Sequence, residues 1–172
     1  LELNNDYNIS INEKDKNGKP VLLNDEWWGK GFTEWTNVTK AYKNFDEHYQ
    51  PHLPIHLGFY DLRIKDNMLE QVEIAKNYGI YGFNFYFYWF NGTTLMEDPI
   101  KMLLKNKDID FPFCLTWANE NWTRTWDGSE SDVLISQKHS MKDHIKFIEH
   151  IVKYFKDSRY IKIEGKPVLI IY

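Results

Sequence analysis

The sequence is poor in the residues that make staples and spans. Cys114 is the only cysteine in 172 residues, so no intramolecular disulfide and no thiolate-rich metal site can form. With 9 glycines and 6 prolines, collagen-like and low-complexity chains are excluded too. The most apolar stretch, residues 79–90, is far shorter than the ~20 residues of a membrane span, and Asn84 interrupts it. Positive charge is not in excess: 21 Lys and Arg against 25 Asp and Glu give a net charge of -4. That sign repels polyanions, which argues against nucleic acid and anionic membrane as partners. The opening residues, Leu1-Glu2-Leu3-Asn4-Asn5-Asp6, show neither the basic nor the apolar region of a signal peptide, which favours a cytoplasmic location. A start at Leu1 rather than Met points to a fragment or a processed chain.

Aromatic rings are what the sequence has in surplus: 7 Trp, 11 Tyr and 11 Phe. Phe is absorbed by any core, whereas Trp and Tyr carry polar tips that favour places where one end meets solvent or ligand.

Residues 1–23 are polar and read as a loop, with a short hairpin pairing residues 7–11 with 20–23 across Asn17-Gly18-Lys19-Pro20. Pro51, Pro54 and Gly58 rule out a continuous helix over residues 44–58. From there the pattern turns regular. Asp66 is expected to cap a helix over residues 66–78, with Leu69, Val72 and Ala75 on one face and Gly79 as its stop. A strand follows over residues 82–88, with Phe83, Phe85 and Phe87 on one side and Asn84, Tyr86 and Tyr88 on the other. A helix over residues 97–105 and a strand over 113–117 come next. Ser140 and Asp143 open a helix that ends near Phe155, and residues 160–163 and 166–172 flank a turn at Glu164-Gly165. Alternating strands and helices predict an α/β fold with a parallel sheet. A (β/α)8 barrel of the TIM type takes ~250 residues, so the expectation is the N-terminal portion of one, carried by residues 24–172.

Ligands of such sheets lie at the carboxyl ends of the strands. Two aromatic clusters fall there: Tyr86-Phe87-Tyr88-Trp89-Phe90-Asn91-Gly92, and Trp117-Ala118-Asn119-Glu120-Asn121-Trp122-Thr123-Arg124-Thr125-Trp126-Asp127-Gly128. A third is Asn24-Asp25-Glu26-Trp27-Trp28-Gly29-Lys30-Gly31-Phe32-Thr33-Glu34-Trp35. Flat rings cover the apolar faces of pyranoses, and carboxylate, amide and guanidinium groups bind their hydroxyls. The candidate saccharide-binding set is therefore Trp27, Trp28, Glu34, Trp35, His52, Tyr86, Tyr88, Trp89, Trp117, Asn119, Asn121, Trp122, Arg124, Trp126 and Asp127. The competing reading is that these rings pack a loop onto the sheet. Glu120 is the candidate acid/base group. A glycosidase needs a second carboxylate at ~5–5.5 Å for retention or ~6.5–9.5 Å for inversion, and Asp127, Glu34, Asp25 or Glu26 are the local choices. His48, His52 and His56 recur every four residues, but Pro51 and Pro54 break the helix that a shared metal would need, so no metal and no cofactor are expected. His48 and His52 serve better as loop braces or hydroxyl binders. No G-x-S-x-G, H-E-x-x-H or G-x-G-x-x-G pattern occurs.

The segment 24–35, His48-Tyr49-Gln50-Pro51-His52-Leu53-Pro54, Gly58-Phe59-Tyr60-Asp61-Leu62, Tyr78-Gly79-Ile80-Tyr81-Gly82-Phe83, Tyr88-Trp89-Phe90 and Trp117-Ala118-Asn119-Glu120-Asn121-Trp122 resemble the glycoside hydrolase family 99-like domain, or WbsX type. The resemblance covers residues 24–172. It implies a (β/α)8 barrel, kinship with endo-α-mannosidases, and a role in lipopolysaccharide and O-antigen metabolism, with an oligosaccharide or polysaccharide as substrate. Two departures stand out. No Tyr-x-Pro-Gln-Phe-His-like segment precedes Asn24, and the Glu-Trp-x-Glu-like segment that carries the hydrolases' glutamate pair falls beyond Tyr172. The resemblance therefore assigns no catalytic glutamate here, and the remainder of the barrel is an expected partner. The alternatives are a non-catalytic glycan-binding or scaffold domain, and a transferase using a nucleotide-sugar donor, which is disfavoured on the expectation of neither a D-x-D metal motif nor a phosphate-cradling loop.

Overall fold

The computed structural model describes residues 10–14, 20–22, 33–124 and 129–172, with backbone alone at 10–14, 20–22, 124 and 129–132. The chain divides into two compact units, Leu1–Asp61 and Leu62–Tyr172.

In the first unit, β1 (Ser10–Lys14) and β2 (Pro20–Leu22) form an antiparallel hairpin, a few residues later than expected at its first strand. Helix α1 (Glu34–Lys40) starts after Thr33, whose N–H donates to the Thr36 hydroxyl at 3.1 Å. The segment after it is an ordered loop, as its prolines require. His48 braces that loop: its Nδ1 accepts from the Asn44 N–H at 3.1 Å, and its ring stacks on Phe45 at 4.8 Å.

The second unit is built on α2 (Lys65–Asn77), β3 (Phe83–Phe90), β4 (Thr93–Leu95), α3 (Asp98–Lys105), β5 (Phe113–Trp117), β6 (Trp122–Arg124), β7 (Ser129–Ile135), α4 (Met141–Phe155), β8 (Lys162–Ile163), β9 (Lys166–Pro167) and β10 (Leu169–Ile171). Its sheet runs β10-β5-β3-β4. The first three strands are parallel and β4 is antiparallel. This is a mixed α/β fold.

Local chemistry explains the boundaries. Asp66 is not the cap of α2: Ile64 holds that position without a side-chain bond, and Asp66 sits in the first turn, where its charge suits the helix N-terminus. Gly79 does stop the helix. At φ +72 it takes the left-handed conformation, its N–H reaches the Lys76 carbonyl, and the Ile80 N–H reaches Ala75. Helix α4 is capped by Ser140, whose Oγ accepts from the Asp143 N–H at 3.2 Å. Two hairpins went unpredicted. Asn91 and Gly92 both have positive φ and fold β4 back on the tip of β3, the outcome an Asn-Gly pair between strands favours. The other pairs β6 with β7. The anticipated strand over residues 160–163 is broken in two: Tyr160 makes a single parallel bridge to Phe113, and Lys162–Ile163 form β8, which pairs with β9 across Glu164-Gly165.

The register sorts side chains onto two faces. Phe83, Phe85 and Phe87 align with Phe113, Leu115 and Trp117, and pack with Met68, Val72, Ile100, Leu103, Phe147, Ile151 and Tyr154 of the three helices into one core. Tyr160 stitches the strands together: its hydroxyl accepts from the Leu115 N–H and donates to the Val168 carbonyl.

Gly82 marks a point of close approach. A Cβ there would lie 2.6 Å from the Pro112 carbonyl oxygen, which already accepts the Phe83 N–H. Gly82→Ala is therefore expected to cost about 1–3 kcal/mol, as overpacking does, read as a lowered denaturant midpoint. An unchanged midpoint would mean the two segments separate freely.

Candidate functional site

On the sheet face opposite the helices, the side chains climb from polar to aromatic toward the strand ends. At the base, the Asn84 amide donates to the Thr116 hydroxyl at 2.6 Å, and that hydroxyl donates back to Asn84 Oδ1 at 2.9 Å. The Cys114 thiol also points at Asn84 Oδ1, at 3.5 Å. Burial pushes its pKa up, so it remains a thiol rather than a nucleophile.

Above this row the rings begin. Tyr86, 53% exposed, lies near-parallel to Tyr88 at 6.4 Å and edge-on to Tyr172 at 6.3 Å. Tyr88 meets Trp122 at 5.2 Å, and Trp122 meets Phe90 at 5.8 Å. Alternation along β3 sets Tyr86 and Tyr88 on this face, and the first residue of β6 adds the indole. The result is a continuous aromatic ribbon at the carboxyl end of β3 and β5.

Beside it runs the loop out of β5. Asn119 is half-buried, while Glu120 and Asn121 are exposed. The Asn121 side-chain oxygen accepts from the Gln137 N–H at 2.6 Å, tying the loop to the exit of β7. Glu120 is thus held on a pinned turn, free to address solvent.

Two residues expected on the ribbon lie elsewhere. Trp89 is 4% exposed, and its indole N–H donates to Asp143 Oδ2 at 3.0 Å beneath α4. Trp117 is 7% exposed and packs on Phe147 at 4.5 Å. Trp89 has the parity of Phe87, and Trp117 is in register with Phe87, so both belong to the helix-packed face. In the first unit, the Trp35 indole donates to the Tyr60 carbonyl at 3.0 Å and its ring packs edge-on against Phe59 and Tyr60. Glu34 is exposed at the start of α1, and His52 is exposed beside Tyr49. Trp27, Trp28, Trp126 and Asp127 lie outside the described residues, as do the local carboxylates Asp25 and Glu26; Arg124 is described by its backbone alone. Among the described residues no group of three or more His, Cys, Asp or Glu could hold a metal.

The polar clusters that sequence reasoning missed sit on the helix side. Glu97, just before α3, is buried and receives Tyr154 (2.6 Å), His150 (2.8 Å) and Lys153 (3.0 Å) on one oxygen and Lys101 (3.0 Å) on the other. Burial opposes its charge, but these four partners outweigh it and hold the carboxyl well below the usual range. Burial, and then Glu97, push the Tyr154 phenol up. At the other end of the sheet, Asp157 and Arg159 form a second cluster. Three partners of Glu97 are more than fifty residues away in sequence, so only its Lys101 spacing was legible.

Asp108-Ile109-Asp110 does spell the D-x-D pattern of metal-dependent sugar transferases, which corrects the expectation that no such motif is present. It forms the turn before β5, at the amino end of the strand and opposite the ribbon, with Asp108 paired to Lys65. Ile109 is fully buried.

The fold and this face define an α/β protein with a tyrosine- and tryptophan-lined surface at its strand ends. The chain belongs to the WbsX glycosyltransferase family, whose model matches residues 19–172. Over 153 residues it is 50% identical to the uncharacterized protein WxcX of Xanthomonas campestris pv. campestris strain B100, and equally to the WxcX of a second strain. The match covers 89% of this chain but only 22% of the length of these relatives. No solved structure matches. Among the described residues, no helix is long and apolar enough to cross a membrane.

Proposed function

We propose that residues 24–172 supply the saccharide-binding N-terminal part of a (β/α)8 barrel, preceded by a polar segment over residues 1–23. In the complete polypeptide this barrel acts on surface-polysaccharide glycans as a glycoside hydrolase 99-like enzyme of α-linked, mannose-type sugars. The observation that carries the binding reading is the ribbon of exposed Tyr172 and Tyr86 and half-buried Tyr88 and Trp122, on the sheet face opposite the described helices at the strand ends. The winding supports the barrel: β3, β5 and β10 follow one another in space as in sequence, without the reversal of a doubly wound sheet. Glu120 is the acid/base candidate on the rim, with its partner carboxylate supplied from elsewhere in the polypeptide.

The family's description favours a second reading, a glycosyltransferase. Against it stands the position of Asp108 and Asp110, at the end of the sheet remote from the ribbon. Analysis of products from a defined oligosaccharide, with and without a nucleotide-sugar donor, separates the two.

Calorimetric titration of the complete gene product with mannose-type oligosaccharides tests the binding. Tyr86→Ala and Trp122→Ala are expected to weaken affinity by about tenfold, or ~1.4 kcal/mol, with Tyr86→Ala leaving the unfolding midpoint nearly unchanged. Glu120→Gln keeps the shape and removes the charge, so it should lower turnover more than affinity. Absence of any saccharide binding would overturn the proposal.

A further inference from the structure

Helix α4 is apolar on more of its circumference than the core uses. Phe147, Ile151 and Tyr154 are buried against the sheet. A second stripe, Met141, Ile145, Ile148 and Val152, advances by four, three and four positions, the spacing of a coiled-coil seam. These side chains are 74%, 52%, 43% and 38% exposed. A helix that faces water carries polar residues there.

The position of the stripe says what belongs on it. His150 and Lys153 reach Glu97 beside α3, so one flank of α4 is occupied. At 3.6 residues per turn, Ile145, Ile148 and Val152 project from the opposite flank. The strands step in one direction, from β3 to β5 to β10, and the connecting helices α3 and α4 step with them. A right-handed crossover after β10 would lay its helix against α4 on the side away from α3, where the stripe lies. β10 is also an end strand of the sheet, with Ile171 62% exposed. Polypeptide to fill the place exists in proteins of the relatives' length, of which this chain spans 22%.

We infer that this flank of α4 is the docking surface for a further amphipathic helix of the same polypeptide. The solvent-side border of the stripe is Lys142, Glu149 and Lys156, so the incoming helix has an apolar stripe with mainly acidic residues along that border. A second copy of α4 is a poorer occupant because it brings lysines to the same border. The inference rests on the winding argued above and not on saccharide binding.

Thiol accessibility tests it on the complete gene product, without sugar. Ile148→Cys is reacted with a maleimide and the peptide carrying position 148 is followed by mass spectrometry; Ile145→Cys repeats the measurement should the first variant fold poorly. The expected result is labelling at least ~tenfold slower than for an exposed thiol, since reaction must wait for local opening. That protection should hold at all protein concentrations, on a particle of monomer mass. Labelling at the free rate would overturn the inference. So would protection that appears only as the mass doubles, which would assign the surface to a second copy. Either failure leaves the saccharide titration untouched.

Discussion

Replacing Arg159 with methionine is expected to lower folding stability by about 3–5 kcal/mol, the scale for breaking a buried ion pair from one side. Arg159 has a side chain only 7% exposed, against 0% for Asp157. Its Nε and Nη2 bind the two Asp157 oxygens, and its remaining donors reach the carbonyls of Leu103, Asn106 and Ile109. Those carbonyls belong to the end of α3 and the turn after it, so the guanidinium acts as the cap that no glycine supplies here. Methionine fills the volume but leaves a carboxylate without its buried cation and takes a charged donor from three carbonyls, of which Asn106 and Ile109 keep the N–H groups of Ile109 and Phe111. Lys107, largely exposed, still reaches Asp157 and moderates the loss.

The pH dependence follows from the same contact. Arg159 holds the Asp157 carboxyl well below the usual range. A depressed native pKa means stability that is fully present above the unfolded value, ~4 for a carboxylate, and is lost as pH falls toward the native one. Denaturant titrations at a series of pH values should therefore show wild type losing stability below about pH 4. The gap to Arg159→Met should narrow over that range. A gap independent of pH would mean the substitution acts through packing alone.

Phe147→Ala is expected to cost a similar amount, about 3–5 kcal/mol, because the cavity it leaves cannot close. Phe147 is 1% exposed and touches Phe87, Trp89 and Trp117, which are themselves wedged between strands and helix. Chemical denaturation measures the loss. The effect should reach the opposite face, since β3 carries Tyr86 and Tyr88 there, so saccharide affinity should fall with stability. A loss below about 1 kcal/mol would mean α4 can settle into the space, contrary to the stiffness expected of a closely packed core.

What the sequence revealed depended on how local the signal was. Helix α4 was legible because Ser140 and an apolar stripe both lie within it, and Gly79 announced the end of α2. The alternation in β3 separated Phe83, Phe85 and Phe87 from Asn84, Tyr86 and Tyr88. Continued by one step it would have sent Trp89 to the core; proximity to the strand end was allowed to outweigh parity. Trp117 carried the same clue, since β5 alternates Phe113, Leu115 and Trp117 with Cys114 and Thr116, although every residue of the strand is buried. Asn91-Gly92 was a readable hairpin signal that went unused. The clusters around Glu97 and Asp157 were not readable, since their partners converge only after the helices dock. Tyr172 joins the ribbon through the β10–β5 register, which no local pattern encodes.

The sequence of β3 itself, Phe-Asn-Phe-Tyr-Phe-Tyr-Trp-Phe, has a consequence for how the chain must be made. Across eight positions it contains no charge and no proline, and nearly every residue favours extended structure. The same composition that presents tyrosines for recognition also marks a segment suited to intermolecular zippering while a nascent chain is incomplete. β4 shields only the final three residues of its flank, Tyr88 to Phe90. The burden of keeping newly synthesised chains apart thus falls on how quickly β5 arrives and α4 closes over the phenylalanines, so assembly speed, as much as final stability, governs whether this surface survives to meet a ligand.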